Sequence, residues 1–276
     1  LAYVNLKARH NLNFTIGKQF VNFGGYEYYV NSIRVREFSE FNNLLTAYQA
    51  GISGNWQVNP DHELCFQIVN NRNGNDEDIY PTGLPEGTAK AKIPFMYTVN
   101  WNSYYLDKAL QLRYATAVGQ QTRKRYSYYF TCGNTYEKGP LLTYLDVMYT
   151  RQGIDQHGVV SRLPGTPHTA MNTEYLSIIG DVDYRVHPQW NVYVKGAYET
   201  ARVYKGNGDF RKGMYRRSWN AQSSVEFFPF KQLDLFVFVL YTYRGVILEK
   251  AATRMGAIEP DTHRISLGLV YSIPVF

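Results

Sequence analysis

The sequence predicts an all-β fold, an antiparallel transmembrane β-barrel whose strands each have one apolar and one polar face. Three observations predict it. Apolar and polar residues alternate in repeated segments of about ten residues. Aromatic residues make up 16% of the chain, with 25 Tyr among 276 residues, and Tyr suits the interface between membrane and water because its ring is apolar and its hydroxyl polar. The last segment, 262–276, alternates up to a terminal aromatic residue.

This final segment shows the alternation most clearly. Its predicted outward row is Ile265, Leu267, Leu269, Tyr271, Ile273 and Val275. The terminal Phe276 falls on the opposite parity, and we expect Pro274 to bulge the strand and restore the pattern, since Pro in strands is confined to edges and bulges. Tyr271 and Phe276 are predicted to form the C-terminal signal for barrel assembly.

Alternation alone does not separate a barrel in lipid from a soluble all-β domain, so the polar rows decide between them. In the segment 215–226 the predicted outward residues are Tyr215, Trp219, Ala221 and Val225. The predicted inward residues are Arg216, Ser218, Asn220, Gln222, Ser224 and Glu226. In a dry core each of these polar groups would need a partner, whereas a water-filled lumen would solvate them. The pattern therefore favours a barrel around water.

Thirteen strands are predicted along the chain, and Pro, Gly, Asn or Asp marks nearly every break between them. Short connections such as 9–11, 59–62 and 187–189 alternate with longer ones such as 71–92 and 151–170, as in outer-membrane barrels. The predicted strands are 1–8, 12–19, 44–58, 62–70, 93–104, 109–118, 125–132, 140–150, 172–186, 190–204, 214–228, 231–245 and 262–276.

The odd number of strands predicts that the barrel extends beyond this sequence. Single-chain bacterial barrels usually have an even number of strands. With a periplasmic C-terminus, the first predicted strand runs towards the periplasm, which requires an odd number of strands before Leu1. We therefore expect three further strands, about sixteen in all, which is porin size. Residues 1–276 then belong to one barrel domain whose first strands are expected before Leu1, and 20–43 is its third external loop.

The formal net charge of +6 reflects two basic clusters in or beside predicted loops. These are 123–125 and 211–217. We interpret them as a surface that faces anionic lipid headgroups, with an anion-attracting vestibule as the alternative. No nucleic-acid-binding module accompanies the charge. Cys65 and Cys132 lack metal-ligand spacing, and we expect no metal, no cofactor and no catalytic site.

The most specific motif lies at 17–27, where Gly-Lys-Gln ends a predicted strand and Phe-Gly-Gly-Tyr-Glu follows. Gly24 and Gly25 let the chain leave the strand in conformations closed to residues with a Cβ. Glu27 is placed to accept hydrogen bonds from loop amides or to pair with Lys18. We interpret the motif as a loop anchor, made by Gly17, Lys18, Gly24, Gly25 and Glu27.

This motif resembles the phosphate-selective porin O/P family in the form found in Bacteroidota. The resemblance implies a bacterial outer-membrane porin in which the third loop, 20–43, folds inward. It also implies a trimeric channel through which small solutes, anions such as phosphate among them, diffuse passively. The partners expected on this basis are outer-membrane lipid and lipopolysaccharide, small anions, and either two further copies of the chain or other outer-membrane proteins.

In such a pore, Arg is the expected filter residue, because its planar and permanently charged guanidinium matches phosphate oxygens. The predicted pore residues are Arg34, Arg36, Arg113, Arg185, Lys195 and Arg216. The predicted inward row also contains carboxylates, which count against strong phosphate selectivity. They are Asp146, Asp181, Asp183, Glu199 and Glu226.

Two other functions compete with a channel. An enzyme is disfavoured, because the six His residues lie mostly at predicted turns, loops or strand ends. The stronger alternative is a porin-like barrel that serves as a structural subunit of a larger outer-membrane complex. On that hypothesis the outward residues Trp101, Trp219 and Phe227 would contact other subunits instead of lipid. The sequence does not separate these two surroundings, since both select apolar side chains.

Overall fold

A computed structural model describes residues 2–29, 38–39, 47–71, 79–80, 82–89, 91–156, 158–163, 168–230 and 235–271. Within these ranges, thirteen antiparallel strands form one sheet, and their order in the sheet is their order in the chain. The strands are β1 Ala2–Arg9, β2 Leu12–Phe20, β3 Tyr48–Asn59, β4 His62–Asn70, β5 Phe95–Tyr105, β6 Leu110–Thr122, β7 Arg125–Lys138, β8 Leu141–Ile154, β9 Met171–His187, β10 Trp190–Val203, β11 Gly213–Phe227, β12 Leu235–Leu248 and β13 Thr262–Tyr271.

Among the described residues, two short helices have both ends defined, α1 Tyr26–Tyr29 after β2 and α2 Lys250–Thr253 after β12. No helix among the described residues is long and apolar enough to cross a membrane.

The thirteen predicted strands are confirmed, and β6 and β7 illustrate how their bounds differ from the prediction. The predicted 109–118 extends to Thr122, and the predicted 125–132 extends to Lys138. In β6 the alternation of apolar and polar residues ends where the side chains lie beyond the apolar band of the barrel. Backbone pairing continues further, to Thr122 opposite Arg125. β6 therefore projects beyond its apolar band up to the tight turn at 123–124, whereas β7 extends at its other end, where Lys138 pairs with Leu141 of β8.

The sheet has two chemically different faces. On β5, the side chains of Phe95, Tyr97, Val99 and Trp101 are exposed, whereas those of the alternate residues such as Thr98 are buried. Exposed apolar rows of this kind recur across the sheet and end with Ile265, Leu267, Leu269 and Tyr271 on β13. A contiguous apolar surface of this extent is far larger than soluble monomers expose, so it marks the lipid side. We call this the outer face and the opposite one the inner face.

One residue that the sequence predicts to be exposed on the outer face is buried instead. Tyr215 is buried, since the connection before β11 and the helix α2 cover this end of the strand. Its ring lies 6.2 Å from that of Phe210, and its hydroxyl donates to the carbonyl of Arg211 at 3.1 Å. Tyr271 ends β13 on the outer face as predicted, while Phe276 lies outside the described residues.

The sheet curves strongly around its inner face. Residues 23–27, which follow β2, contact β7, β8 and β10, although these strands lie five, six and eight positions further along the sheet. A flat sheet would hold those strands tens of ångströms away, since neighbours are spaced about 4.8 Å apart. Within the described ranges, β1 and β13 pair with one neighbour each. A total of sixteen strands stays a prediction.

The long connection after β8 is organised around the buried carboxylate of Asp155. It accepts hydrogen bonds from the Ser161 amide at 2.8 Å, from the Ser161 hydroxyl at 2.6 Å and from the Tyr175 hydroxyl. The Ser161 Oγ in turn accepts from the amide of Ala170 at 2.9 Å. Burial raises the pKa of Asp155 to about 6, although the hydrogen bonds from Ser161 and Tyr175 act in the opposite direction.

The raised pKa of Asp155 predicts that the stability of the connection after β8 depends on pH. Because folding favours the protonated carboxyl, the stabilisation is complete below the ordinary value of 3.8 and is lost as the pH rises through about 6. We expect the amides of Ser161 and Ala170 to exchange hydrogen less readily at pH 4 than at pH 7.5, after correction for intrinsic rates. D155N should remove the difference.

The exposed Asp209, on the connection between β10 and β11, provides the control variant D209N, which should retain the difference. Protection in the parent protein that is equal at both pH values would contradict the prediction.

Candidate functional site: a loop anchored inside the sheet

The segment 21–29 leaves the end of β2 and folds onto the inner face instead of continuing along the wall. The amide of Asn22 donates to Gln67 Oε1 on β4 at 3.0 Å. Further on, the buried Phe23 packs edge-on against Tyr129 of β7, with ring centroids 5.7 Å apart. These contacts bring the chain across the concave side of the sheet.

Asp146 on β8 holds the backbone of this segment. Its carboxylate oxygens accept from the amides of Tyr26 at 3.0 Å and Glu27 at 3.1 Å. The contact is close because two glycines face each other. A Cβ on Gly25 would lie 2.2 Å from Asp146 Cγ, and one on Gly133 would lie 2.9 Å from Gly25 Cα. Glycine at both positions is what lets the carboxylate reach the amides.

Gly24 has a different requirement from Gly25. Its φ of +122° lies in the region that side chains rarely adopt, and it turns the chain inward immediately before the contact with Asp146. The other predicted anchor glycine, Gly17, lies within β2, opposite Tyr3 of β1.

Glu27 forms a buried ion pair with Lys195 of β10. The distance from Lys195 Nζ to Glu27 Oε2 is 2.9 Å, and the two side chains are 1% and 0% exposed. The other oxygen of Glu27 accepts from the amide of Ser39. Of the two roles expected for Glu27, accepting from a loop amide is observed, whereas pairing with Lys18 is wrong, because Lys18 is exposed on the outer face, in the same row as Ile16.

The surroundings of this ion pair are acidic. Asp181 lies directly across from Lys195 on β9, and Glu199 lies four residues further along β10. Glu199 accepts from the hydroxyl of Ser177 at 2.8 Å. With Asp146 and Glu27, four buried carboxyl groups lie on the loop and wall around the ammonium of Lys195. Lys195 therefore compensates charge at the anchor and is not exposed to the lumen.

The other predicted pore residues are spread along the inner face. Arg113 on β6 lies below the loop, with its guanidinium 5.2 Å from the centre of the Tyr29 ring. Arg185 lies beside the short turn that follows β9, stacked 3.7 Å from the ring centre of Phe228. Arg216 is buried at the opposite end of the sheet. Arg34 and Arg36 lie outside the described residues.

Arg216 belongs to a cluster that sequence reasoning did not identify in full. Glu259 bridges Arg216 at 3.4 Å and Arg244 at 2.9 Å. These residues and Arg162 line a cavity of about 330 Å³. Arg244 shares the inward parity of Thr242 on β12, so the alternation could have identified it. Arg162 lies in an irregular connection, where no period indicates its direction.

Comparison with known proteins decides the family. The model of the family described as phosphate-selective porin O and P matches residues 1–273. The chain belongs to this family. No curated protein matches it.

Solved porin structures share the fold at low sequence identity. The outer-membrane channel DcaP of Acinetobacter baumannii is 11% identical with a TM-score of 0.60, over 94% of this chain and 71% of that chain. The loop L8 deletion mutant of OmpT, an outer membrane protein of Vibrio cholerae, is 12% identical with a TM-score of 0.57, over 98% and 78%. A trimer form of OmpT is 12% identical with a TM-score of 0.54, over 97% and 77%.

Membership of this family fixes the location and the general class of the protein. It is a β-barrel protein of the outer membrane, and its family and fold point to a channel rather than to an enzyme. Trimers occur among its structural neighbours. The long connections then lie outside the cell and the short turns in the periplasm.

The buried ion pair of this porin generates a stability prediction. K195M leaves the carboxylate of Glu27 buried without its ammonium, and breaking such a pair costs about 3–5 kcal/mol. We expect a loss of this order in the free energy of unfolding in detergent, with faster proteolysis of the loop. The double variant E27Q/K195M carries neither charge and should recover most of the loss.

The matched control is K18Q, because Lys18 belongs to the same motif but is exposed on the outer face. A K195M protein as stable and as protease-resistant as K18Q would show that the pair does not hold the loop.

The close approach of Gly25 to Asp146 generates a second prediction. In G25A the new Cβ would overlap the carboxylate, so the carboxylate must turn away or the loop must move off β8, and either shift breaks the hydrogen bonds to the amides of Tyr26 and Glu27. We expect a loss of about 1–3 kcal/mol, typical of overpacking, and a larger single-channel conductance. In the control G196A the new Cβ has no neighbour within 4 Å, so conductance should not change. Equal conductance of the two variants would contradict the prediction.

Proposed function

We propose that the protein forms a water-filled channel for passive diffusion of small solutes, with anions such as phosphate among them. The observation that carries the proposal is the segment 21–29, which crosses the inner face and is fixed there by Asp146 and Lys195. A loop bonded part-way along a polar inner face narrows a lumen to a defined width. Glu27 and its partners thus act as the loop anchor, together with Gly24 and Gly25.

The preference for anions is supported by the family and by the cluster at the external end. Arg162, Arg216 and Arg244 line one cavity, in which Glu259 offsets part of their charge. An excess of guanidinium groups there would raise the local concentration of anions. Arg34, Arg36, Arg113 and Arg185 remain the proposed lumen residues beyond this vestibule. The acidic surroundings of Lys195 argue that selectivity is moderate, since its charge is neutralised by Glu27.

The proposed assembly is a homotrimer in contact with outer-membrane lipid and lipopolysaccharide. Near the external end of the outer face, Arg151 and Arg202 flank Glu174 in one cross-strand row. Their guanidinium side chains are 48% and 45% exposed, although each lies within 4 Å of Glu174. Exposed arginines at that level suit phosphate-bearing headgroups of the outer leaflet.

Recording in planar bilayers under a KCl gradient, with and without phosphate, tests the selectivity. We expect a reversal potential on the anion side and block by phosphate. R162Q/R244Q should shift the reversal potential towards cations and weaken the block about tenfold, because it removes two charged donors from the vestibule. K250Q, which alters an exposed charge on α2, is the control and should behave as the parent.

The outcomes separate the candidate functions. Conductance without ion preference would retain the channel and discard the anion selectivity. A folded protein without conductance would favour the structural subunit, with Trp101 and Trp219 as its contacts.

A further inference from the structure

A second polar cavity lies below the anchored loop, towards the periplasmic turns. It has a volume of about 240 Å³ and is lined by the segment 21–29 and the inner faces of β3 to β6. The lining residues that matter here are Tyr29, Glu63, Asn100, Asn102, Gln111 and Arg113. It is separate from the arginine cavity at the external end, with which it shares no lining residue.

Arg113 is held rigidly in this cavity. Its Nη2 donates to Gln111 Oε1 at 2.8 Å, and Gln111 Nε2 donates to the hydroxyl of Tyr104 at 3.2 Å. The Tyr29 ring lies beside the guanidinium. The Nη1 atom of Arg113 is buried and has no hydrogen-bond partner within the part of the chain that the structure describes. A fixed guanidinium with an unused buried donor is a preorganised contact for a carboxylate.

The opposite side of the cavity carries unused acceptors. Asn100 Nδ2 donates to the hydroxyl of Tyr29 at 2.9 Å, and Asn102 Nδ2 donates to Glu63 Oε2 at 3.3 Å. Each Nδ2 therefore uses one of its two hydrogens, whereas the Oδ1 atoms of Asn100 and Asn102 are buried without a partner among the described residues. With the carboxylate of Glu63, these oxygens form an environment that only a hydrogen-bond donor would satisfy, and a cationic donor best.

The acceptor side of the cavity, with Glu63, and the donor side, with Arg113, lie on either side of strand β5. Glu63, Asn102 and Arg113 are successive partners on β4, β5 and β6, so they form one row on the inner face. The strands of Glu63 and Arg113 lie two spacings apart, roughly 10 Å. One negative and one positive side chain thus face the same small space from its two sides, with an amide between them.

We propose that this cavity is a subsite for zwitterionic α-amino acids. The ligand carboxylate binds the guanidinium of Arg113, and its ammonium donates to Glu63 and to the Asn100 and Asn102 oxygens. A sugar could supply hydroxyl donors and acceptors, but it would leave both charges uncompensated. The proposal deepens the channel function and rests on it for the route by which the ligand enters; the binding itself is measurable apart from conductance.

Saturation-transfer NMR on the purified protein in detergent tests the binding, with L-alanine as the probe. Propionate, ethylamine and glucose each lack one or both charges of alanine. We expect each to bind at least about tenfold more weakly, the loss expected for one charge-assisted hydrogen bond. E63Q and R113Q should each weaken alanine binding by the same factor. K18Q and D209N are controls outside the cavity and should bind as the parent does, and unfolding transitions verify that all variants fold.

Several results would overturn the proposal. Propionate that binds as well as alanine, together with no effect of E63Q, would reduce the cavity to a carboxylate site. Glucose that binds as well as alanine would make it a site for neutral polar solutes. Conductance without alanine binding would refute the subsite and leave the channel intact. Alanine binding without conductance would support the subsite and refute the channel.

Discussion

Every strand of this protein depends on one constraint: in lipid, the backbone amides and carbonyls must find their partners within the protein. Pairing each strand with the next satisfies them, and the resulting pleat sends successive side chains to opposite faces. One face then contacts lipid and is apolar, and the other face can carry polar side chains. The rows of Ser, Asn and Gln on the inner face, which a dry core would exclude, are a consequence of this division.

The buried charges of the anchored loop also find their partners within the protein. A lone carboxylate at Glu27 would be costly to bury, but Lys195 and the amide of Ser39 compensate it. Asp146 uses its charge to bind two backbone amides, so the loop is attached through its main chain as well as through a side chain. The attachment therefore has a fixed geometry.

The strands could be predicted from the sequence because a period of two is a local signal that each segment carries by itself. The same parity correctly placed Arg113 and Arg216 on the inner face. Parity also argues against Lys18 as the partner of Glu27, since Lys18 shares the outward row of Ile16, but the proximity of the two residues in sequence obscured this. The actual partner could not be predicted, because pairing Glu27 with Lys195 depends on the curvature of the whole sheet. Irregular connections such as the one that carries Arg162 have no period from which to read a direction.

The chain order of the sheet has a consequence for assembly. Each strand can join the growing sheet as soon as its predecessor is in place, since neighbours in the sheet are neighbours in sequence. The anchor is the exception. Glu27 and Lys195 are far apart in sequence, so their ion pair requires that β10 has paired with β9 and that the sheet has curved. An intermediate in which β10 is unpaired therefore lacks this ion pair, so the loop is fixed in place only after the sheet that surrounds it has formed.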